Sequence, residues 1–215
     1  GYVDRVDVWR SGGRAFVRVI DYKTGKKSFD YTKIFHGLGL QMLLYLFALE
    51  QNGARLLGQP VEAAGVLYFP ARIERVTAAD RFDEKKLNDQ RQKVQRRSGL
   101  LLDREDVLQA MEPCEQPVYL PYSYGKDGER KGDLADKAQL EALRQHIFRT
   151  VARLGDELYS GQVAPNPYFC DNMNNACQWC PYGSVCRERG ERRWLTKLKG
   201  ADEFWQAIEG GDGHV

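Results

Sequence analysis

Asp4, Asp21 and Lys23 are the residues whose types and spacing point first to chemistry. Two strand-like stretches, Tyr2 to Trp9 and Arg14 to Lys23, flank Arg10-Ser11-Gly12-Gly13, and a Gly-Gly pair between such stretches signals a tight hairpin. With Gly12-Gly13 as the turn, Ser11 faces Arg14, and counting back sets Asp7 opposite Arg18 and Asp4 opposite Asp21. A slip of one residue would send the two aspartates to opposite faces. Like charges directly opposed across a sheet repel. A divalent cation between them removes that repulsion, and hard Mg²⁺ is commonly held by one or two carboxylates while it keeps several waters. Lys23 lies two residues beyond Asp21, so it projects from the same strand face. There an ammonium can orient a metal-activated water and stabilise charge on a phosphate. The backbone carbonyl of Tyr22 is a further candidate oxygen ligand. Asp7, facing Arg18 on the other side, reads as half of an ion pair.

The elements that must hold this arrangement are legible in part. After a loop containing Thr24-Gly25, the stretch from His36 to Gln51 is rich in Leu, Met, Phe and Ala and is stopped by Gly53, which predicts a largely buried helix. Gln41 and Tyr45 fall one turn apart on it and share a face. Two polar groups on an apolar helix need partners. His36 reads as a helix-start or core histidine. Gly65 to Phe69 reads as a short buried strand ended by Pro70, and strand, strand, helix, strand makes a compact α/β core.

Further on, helices are predicted over Asp83 to Arg97 and over Asp103 to Met111, the second N-capped by Asp103. Val118 to Ser123 reads as extended, and Gly125 to Gly132 as an exposed, disordered loop. Lys137 to Tyr159 is the longest amphipathic helix, with Leu140, Leu143, Ile147, Val151, Leu154 and Leu158 along one stripe. A short helix follows around Asp202 to Ile208. The expected division is a core over 1–160 and a cysteine segment with tail over 161–215.

Five cysteines occur, and Cys170, Cys177, Cys180 and Cys186 crowd together near the C-terminal end while Cys114 stands apart. Without a secretory signal, Cys177-x2-Cys180-x5-Cys186 favours a metal or cluster site over disulfides. Zinc and a [4Fe-4S] cluster both take four thiolates, so spacing alone leaves both open.

Composition narrows the class. With 42% hydrophobic residues in 215, the chain can bury a real core. It has no apolar run long enough to span a bilayer and no signal-peptide pattern, so neither membrane insertion nor secretion is expected, and a cytoplasmic location is. Thirty-two Lys and Arg against 30 Asp and Glu leave +2, too even to argue for nucleic acid by itself. A DNA-binding surface must then be local. Arg187, Arg192 and Arg193 lie in a basic run that could follow a DNA backbone or form a solvated helix face. The chain opens in mid-strand, as a piece of a larger protein would.

The ordered set Gly1-x-Val3-Asp4-Arg5-Val6-Asp7, Val19-Ile20-Asp21-Tyr22-Lys23-Thr24-Gly25 and Gln41-x-x-x-Tyr45 resembles the RecB-like branch of the PD-(D/E)xK nucleases. The resemblance implies a restriction-endonuclease-like α/β fold, a mixed sheet flanked by helices, with a C-terminal cysteine-cluster appendage. It also implies that Asp4 and Asp21 bind Mg²⁺ or Mn²⁺, that Lys23 is the catalytic lysine, and that Gln41 and Tyr45 stand beside the active site. In iron-sulfur members, three C-terminal cysteines patterned like Cys177, Cys180 and Cys186 join one placed ahead of the nuclease motifs. No such cysteine precedes Asp4 here, and Cys170 is a candidate substitute.

Segments Gly65 to Pro70, Gly99 to Met111 and Ser160 to Tyr168 are similar to the B subunits of AddAB-type helicase-nucleases. That likeness implies DNA and a helicase-nuclease A subunit as partners, and exonuclease action in double-strand-break repair by homologous recombination. The alternatives are a stand-alone iron-sulfur exonuclease and a catalytically silent scaffold that binds DNA or a partner.

Overall fold

Gly12 and Gly13 take φ of 57° and 73°, a left-handed pair that glycine adopts without a Cβ penalty. They close the hairpin between β1 (Arg5–Ser11) and β2 (Arg14–Lys23). The register is the expected one: Ser11 pairs with Arg14, Asp7 with Arg18 and Arg5 with Ile20. Asp4 lies one residue before β1, outside the paired residues.

The structure, a computed structural model, describes residues 2–72, 84–186 and 191–210. After β2 come α1 (Tyr31–Phe35), α2 (Gln41–Asn52), α3 (Ala54–Leu57) and β3 (Val61–Pro70). Next are α4 (Glu84–Gln95), β4 (Ser98–Leu102), α5 (Glu105–Met111), β5 (Tyr122–Tyr124), β6 (Arg130–Gly132) and β7 (Leu134–Ala135). The remainder holds α6 (Lys137–Tyr159), β8 (Tyr168–Asp171), β9 (Asn174–Asn175), α7 (Gly183–Cys186), β10 (Arg193–Trp194) and α8 (Ala201–Glu209). Two compact units divide these elements: Gly1–Phe29 with Leu40–Arg144, and Asp30–Gly39 with Gln145–Val215. The division therefore falls inside α6, where the sequence reading placed it at 160, and the second unit takes in 30–39.

In the first unit a mixed sheet runs in the order β1-β2-β3-β4-β7. Its pairings alternate: β1 and β2 antiparallel, β2 and β3 parallel, β3 and β4 antiparallel, β4 and β7 parallel. Strands buried on both faces read as continuous apolar runs, and this is how the interior strands appear. Phe16, Val17, Val19 and Ile20 of β2, Val66 and Leu67 of β3, and Leu100 and Leu101 of β4 are all at most 2% exposed. Met42, Leu43, Leu46 and Phe47 of α2 are buried, and α2 packs on β2 and β3. Ile20, Leu67, Leu101, Leu108, Leu120 and Tyr122 form one core cluster. At one border Glu62 collects Arg14, Arg104 at 3.8 Å and Lys137 at 3.2 Å.

Several expectations change. The helix foreseen over His36 to Gln51 starts only at Gln41, because Gly37 and Gly39 take φ of 82° and 71° and keep His36 to Leu40 out of it, and a separate helix, α1, precedes the break. His36 is the C-cap of α1. Asp103 does not cap α5, whose N-cap is Arg104 without a side-chain bond. Asp103 accepts instead from Arg130 Nε at 2.5 Å. That contact, with Arg130 Nη1 donating to Glu105 at 2.7 Å, helps order the stretch expected to be a loose loop. Gly125 to Gly132 forms a hairpin in which Tyr122–Tyr124 pairs with Arg130–Gly132. The strand near Gly65 is twice the expected length, and β4 had no counterpart in the sequence reading.

In the second unit β10, β8 and β9 form a small sheet. Asp30 caps α1 by accepting from the Lys33 amide at 3.0 Å, and Tyr31 packs on Phe204 and Trp205 of α8. His146 is buried, stacked on Phe35 with centroids 5.4 Å apart. Its Nε2–H donates to the Phe35 carbonyl at 2.9 Å, a partner that can only accept. Burial lowers the His146 pKa below 6.5; the carbonyl bond opposes this, while Arg149, Arg153 and His36 add to it. The folded chain thus binds this proton less readily than the unfolded chain, and the His146 contribution to stability is complete above pH 6.5 and fades as pH falls toward the lowered value. The thermal midpoint is expected to drop between about pH 7.5 and 5.5, the histidine range, and less steeply in His146→Gln. Equal slopes in both proteins would show that His146 does not set this dependence.

Candidate active site

The hairpin end brings Asp4, Asp21, Tyr22 and Lys23 together. Asp4 Oδ2 accepts from the Tyr22 amide at 3.0 Å, which ties its carboxylate to the strand segment that carries Asp21. Lys23 Nζ lies 2.6 Å from Asp21 Oδ2, with the aspartate side chain 20% and the lysine 41% exposed. Asp21 Oδ2 is a buried atom that receives no hydrogen bond of good geometry among the described residues. Among the described residues the ammonium alone balances it, a poorly satisfied anion of the kind that invites a cation.

β3 builds the next wall. It pairs parallel with β2 so that Asp21 faces Tyr68, Tyr22 faces Phe69 and Lys23 faces Pro70, and the Ala71 amide donates to the Lys23 carbonyl at 2.8 Å. Burial and then the Asp21 charge raise the Tyr68 phenol above its usual pKa. Tyr68 was missed in the sequence because a parallel register leaves no local signature. The Lys26-Lys27 pair directly after the motif was a readable signal.

Asp7 belongs to a different network. Arg18 Nη2 donates to its Oδ2 at 2.7 Å and Arg5 Nε to its Oδ1 at 2.6 Å. Burial pushes the Asp7 carboxyl up, but the bonds from Arg5 and Arg18 outweigh it and hold the pKa below the usual range. The ion-pair reading of Asp7 therefore holds.

Gln41 opens α2 and Tyr45 follows one turn later, with Gln41 Nε2 donating to the Tyr45 hydroxyl at 3.0 Å. Each polar group thus finds its partner in the other.

Among the described residues no three His, Cys, Asp or Glu side chains are disposed to hold a metal ion. For the hairpin this leaves two carboxylates and a carbonyl, a donor set that suits hard Mg²⁺ with retained waters. For the cysteines it means that Cys177, Cys180 and Cys186 are not arranged as a ligand set, although the Cys180 amide donates to the Cys177 carbonyl at 3.2 Å in a tight turn. All five cysteines are free thiols. Cys170 sits in β8, its pKa raised first by burial, in surroundings of Lys33, Asp30, Asp171 and Lys197. Arg192 lies over the Phe169 ring at 5.0 Å and Arg193 is half-buried in β10. Arg187 lies outside the described residues.

A profile described as the PD-(D/E)XK nuclease superfamily matches residues 1–187. The chain belongs to the PD-(D/E)XK nuclease superfamily. Its mixed sheet with flanking helices is the fold expected of that superfamily. Proteins named as the B subunit of an ATP-dependent helicase/deoxyribonuclease are similar to it over nearly its whole length. That of Moorella thermoacetica is 36% identical over 96% of this chain and 18% of its own. That of Symbiobacterium thermophilum is 36% identical over 100% of this chain and 19% of its own. That of Thermoanaerobacter sp. (strain X514) is 30% identical over 97% and 19%. The chain thus spans about a fifth of the length of these relatives. No helix among the described residues is long and apolar enough to cross a membrane.

Proposed function

We propose that this chain is the metal-dependent DNA-cutting domain of a helicase-nuclease B subunit, an exonuclease that works with a helicase-nuclease A subunit in double-strand-break repair by homologous recombination. The observation that carries the reading is that one hairpin end holds Asp4, bonded to the Tyr22 amide, and the Asp21–Lys23 contact on the adjoining residues, in a chain whose superfamily is that of nucleases. Asp4, Asp21 and the Tyr22 carbonyl would hold Mg²⁺ or Mn²⁺. Such an ion polarises the phosphodiester and makes water a nucleophile near neutral pH. Lys23 exchanges its contact with Asp21 for the phosphate and orients the attacking water, and the buried apolar faces of β2 and β3 keep the hairpin end rigid. The Gln41–Tyr45 pair stands as a positioning element on α2, which packs on both strands. The test is release of nucleotides from labelled single-stranded DNA with Mg²⁺. Loss of release on chelation is expected, and cleavage that survives chelation would remove the metal-dependent reading.

The cysteine segment carries a separate proposal. Cys177, Cys180 and Cys186, which are not arranged as a ligand set in this structure, would have to draw together to hold a [4Fe-4S] cluster that staples the C-terminal part, with Cys170 as the candidate fourth ligand. Support comes from their spacing and thiol chemistry. Protein prepared without oxygen is expected to contain iron and acid-labile sulfide and to lose both in Cys180→Ser. Zinc without sulfide would replace the cluster by a zinc site, and no metal at all would leave the thiols unligated.

A further inference from the structure

Beyond Lys23 the chain turns through Gly25 to Ser28, and this loop joins the end of β3 and the last turns of α4 around an open groove of about 550 Å³. The volume is that of a ligand-sized cleft, roughly 300–1,000 Å³. Lys23, Lys26, Lys27, Lys93 and Arg96 line it, and no carboxylate among the described residues does. In a chain with 32 basic and 30 acidic residues, that is a sharp local excess of positive charge.

The groove is held open by specific contacts. Ser98 Oγ donates to the Lys27 carbonyl at 2.5 Å, tying the loop to the start of β4. Arg96 is committed to the Leu120 and Tyr122 carbonyls at 3.1 and 2.8 Å, so it adds field without leaving its place. Lys27 and Lys93 make no ion pair among the described residues. Lys27 Nζ stands 5.7 Å from the Tyr68 ring, and Tyr68 is the cross-strand neighbour of Asp21. Tyr68, itself buried, and Phe69 complete the lining, and Arg97 lies 4.0 Å over the Phe69 ring.

We propose that this groove holds a single DNA strand next to the scissile phosphate, with Lys27 and Lys93 as phosphate-binding residues. The proposal rests on the nuclease reading of Asp21 and Lys23, and it assigns the path by which the strand reaches them. A positively charged groove that tracks the backbone binds single strands with little sequence preference. Neutralising each phosphate releases counterions, which makes affinity fall with salt by a logarithmic slope of about 0.7 per contact on a single strand.

The test is fluorescence anisotropy of a labelled oligothymidylate with the 215-residue chain in Ca²⁺, over a range of salt concentrations. Lys27→Gln with Lys93→Gln is expected to weaken binding about tenfold and to flatten the salt slope by about 1.4. Both side chains are exposed, so the fold is kept. Lys126→Gln, outside the groove, is expected to bind as wild type. Unchanged affinity and slope in the double variant would overturn the groove, as would absence of binding by wild type. An equal loss in Lys126→Gln would also overturn it, by showing a diffuse charge effect. The nuclease reading is separated by Asp21→Ala, which is expected to bind the oligonucleotide and yet not cut it. Cleavage by Asp21→Ala would fail the active site while leaving the binding result to stand on its own.

Discussion

Asp21→Ala is expected to abolish strand cleavage, by about a thousandfold or more, with the fold and DNA binding retained. The charge of a bound divalent cation is worth several kcal/mol to a phosphoryl transition state, and each 1.36 kcal/mol is about tenfold in rate. Asp21 is the proposed central acid of the site, its Oδ2 buried and, among the described residues, balanced by Lys23 alone. Its removal would delete a proposed metal ligand and take away the Lys23 contact. Lys23→Ala is expected to cost less, about 10² to 10³, the effect of removing one preorganised donor from developing charge. It should leave metal affinity intact or raised, because Lys23 holds the Asp21 oxygen that the proposed cation would take. Calorimetric Mg²⁺ binding distinguishes the two variants. If Lys23→Ala lost metal while Asp21→Ala kept it, the roles assigned to them would be reversed.

Gly65→Ala and Gly99→Ala are expected to destabilise the first unit by about 3 kcal/mol or more each, from a strained backbone and overpacking together. Both glycines lie where β3 and β4 cross-pair, Gly65 opposite Leu101 and Gly99 opposite Leu67. Their φ values are 134° and 154°, and an added Cβ would meet the Leu100 carbonyl oxygen at 2.3 Å and the Val66 carbonyl oxygen at 2.0 Å. The obstructing atoms are backbone, so no side-chain rotation can relieve them. β3 carries Tyr68 and borders the hairpin, so cleavage should fall together with the melting midpoint. Denaturant unfolding checks this, with Gly25→Ala as the comparison, since a Cβ there meets nothing within 4 Å. Wild-type midpoints for Gly65→Ala and Gly99→Ala would show that the close strand approach is not essential.

What the sequence disclosed and concealed follows from the range of the interactions. The hairpin was legible because its turn is local: Gly12-Gly13 fixes the register, and the register fixes which side Asp4, Asp7, Asp21 and Lys23 take. Helix α6 was legible to the residue because its stripe repeats over six turns. The strand β4 was not, since Ser98 to Leu102 is five residues of Ser, Gly and Leu with no alternation, and only pairing with β3 makes it a strand. The break between α1 and α2 hid behind apolar residues on both sides of Gly37 and Gly39. The wall of the site made by Tyr68, and the groove beyond it, depend on a parallel pairing across 47 positions of sequence (Asp21 to Tyr68). Asp103 illustrates a different failure: its type suited an N-cap, but the β6 arginine at position 130 offered the stronger charged partner.

Cleavage of single-stranded DNA in Mg²⁺ by Asp4→Ala and Asp7→Ala, measured side by side, tests the assignment most directly. The two aspartates stand three residues apart in one motif but in different networks, Asp4 beside Tyr22 and Asp21 and Asp7 between Arg5 and Arg18. Asp4→Ala is expected to fold normally and lose cleavage, whereas Asp7→Ala is expected to melt at lower temperature and still cut. A folded Asp4→Ala that cuts like wild type, or a folded Asp7→Ala that is inert, would contradict the placement of the metal site at the end of this hairpin.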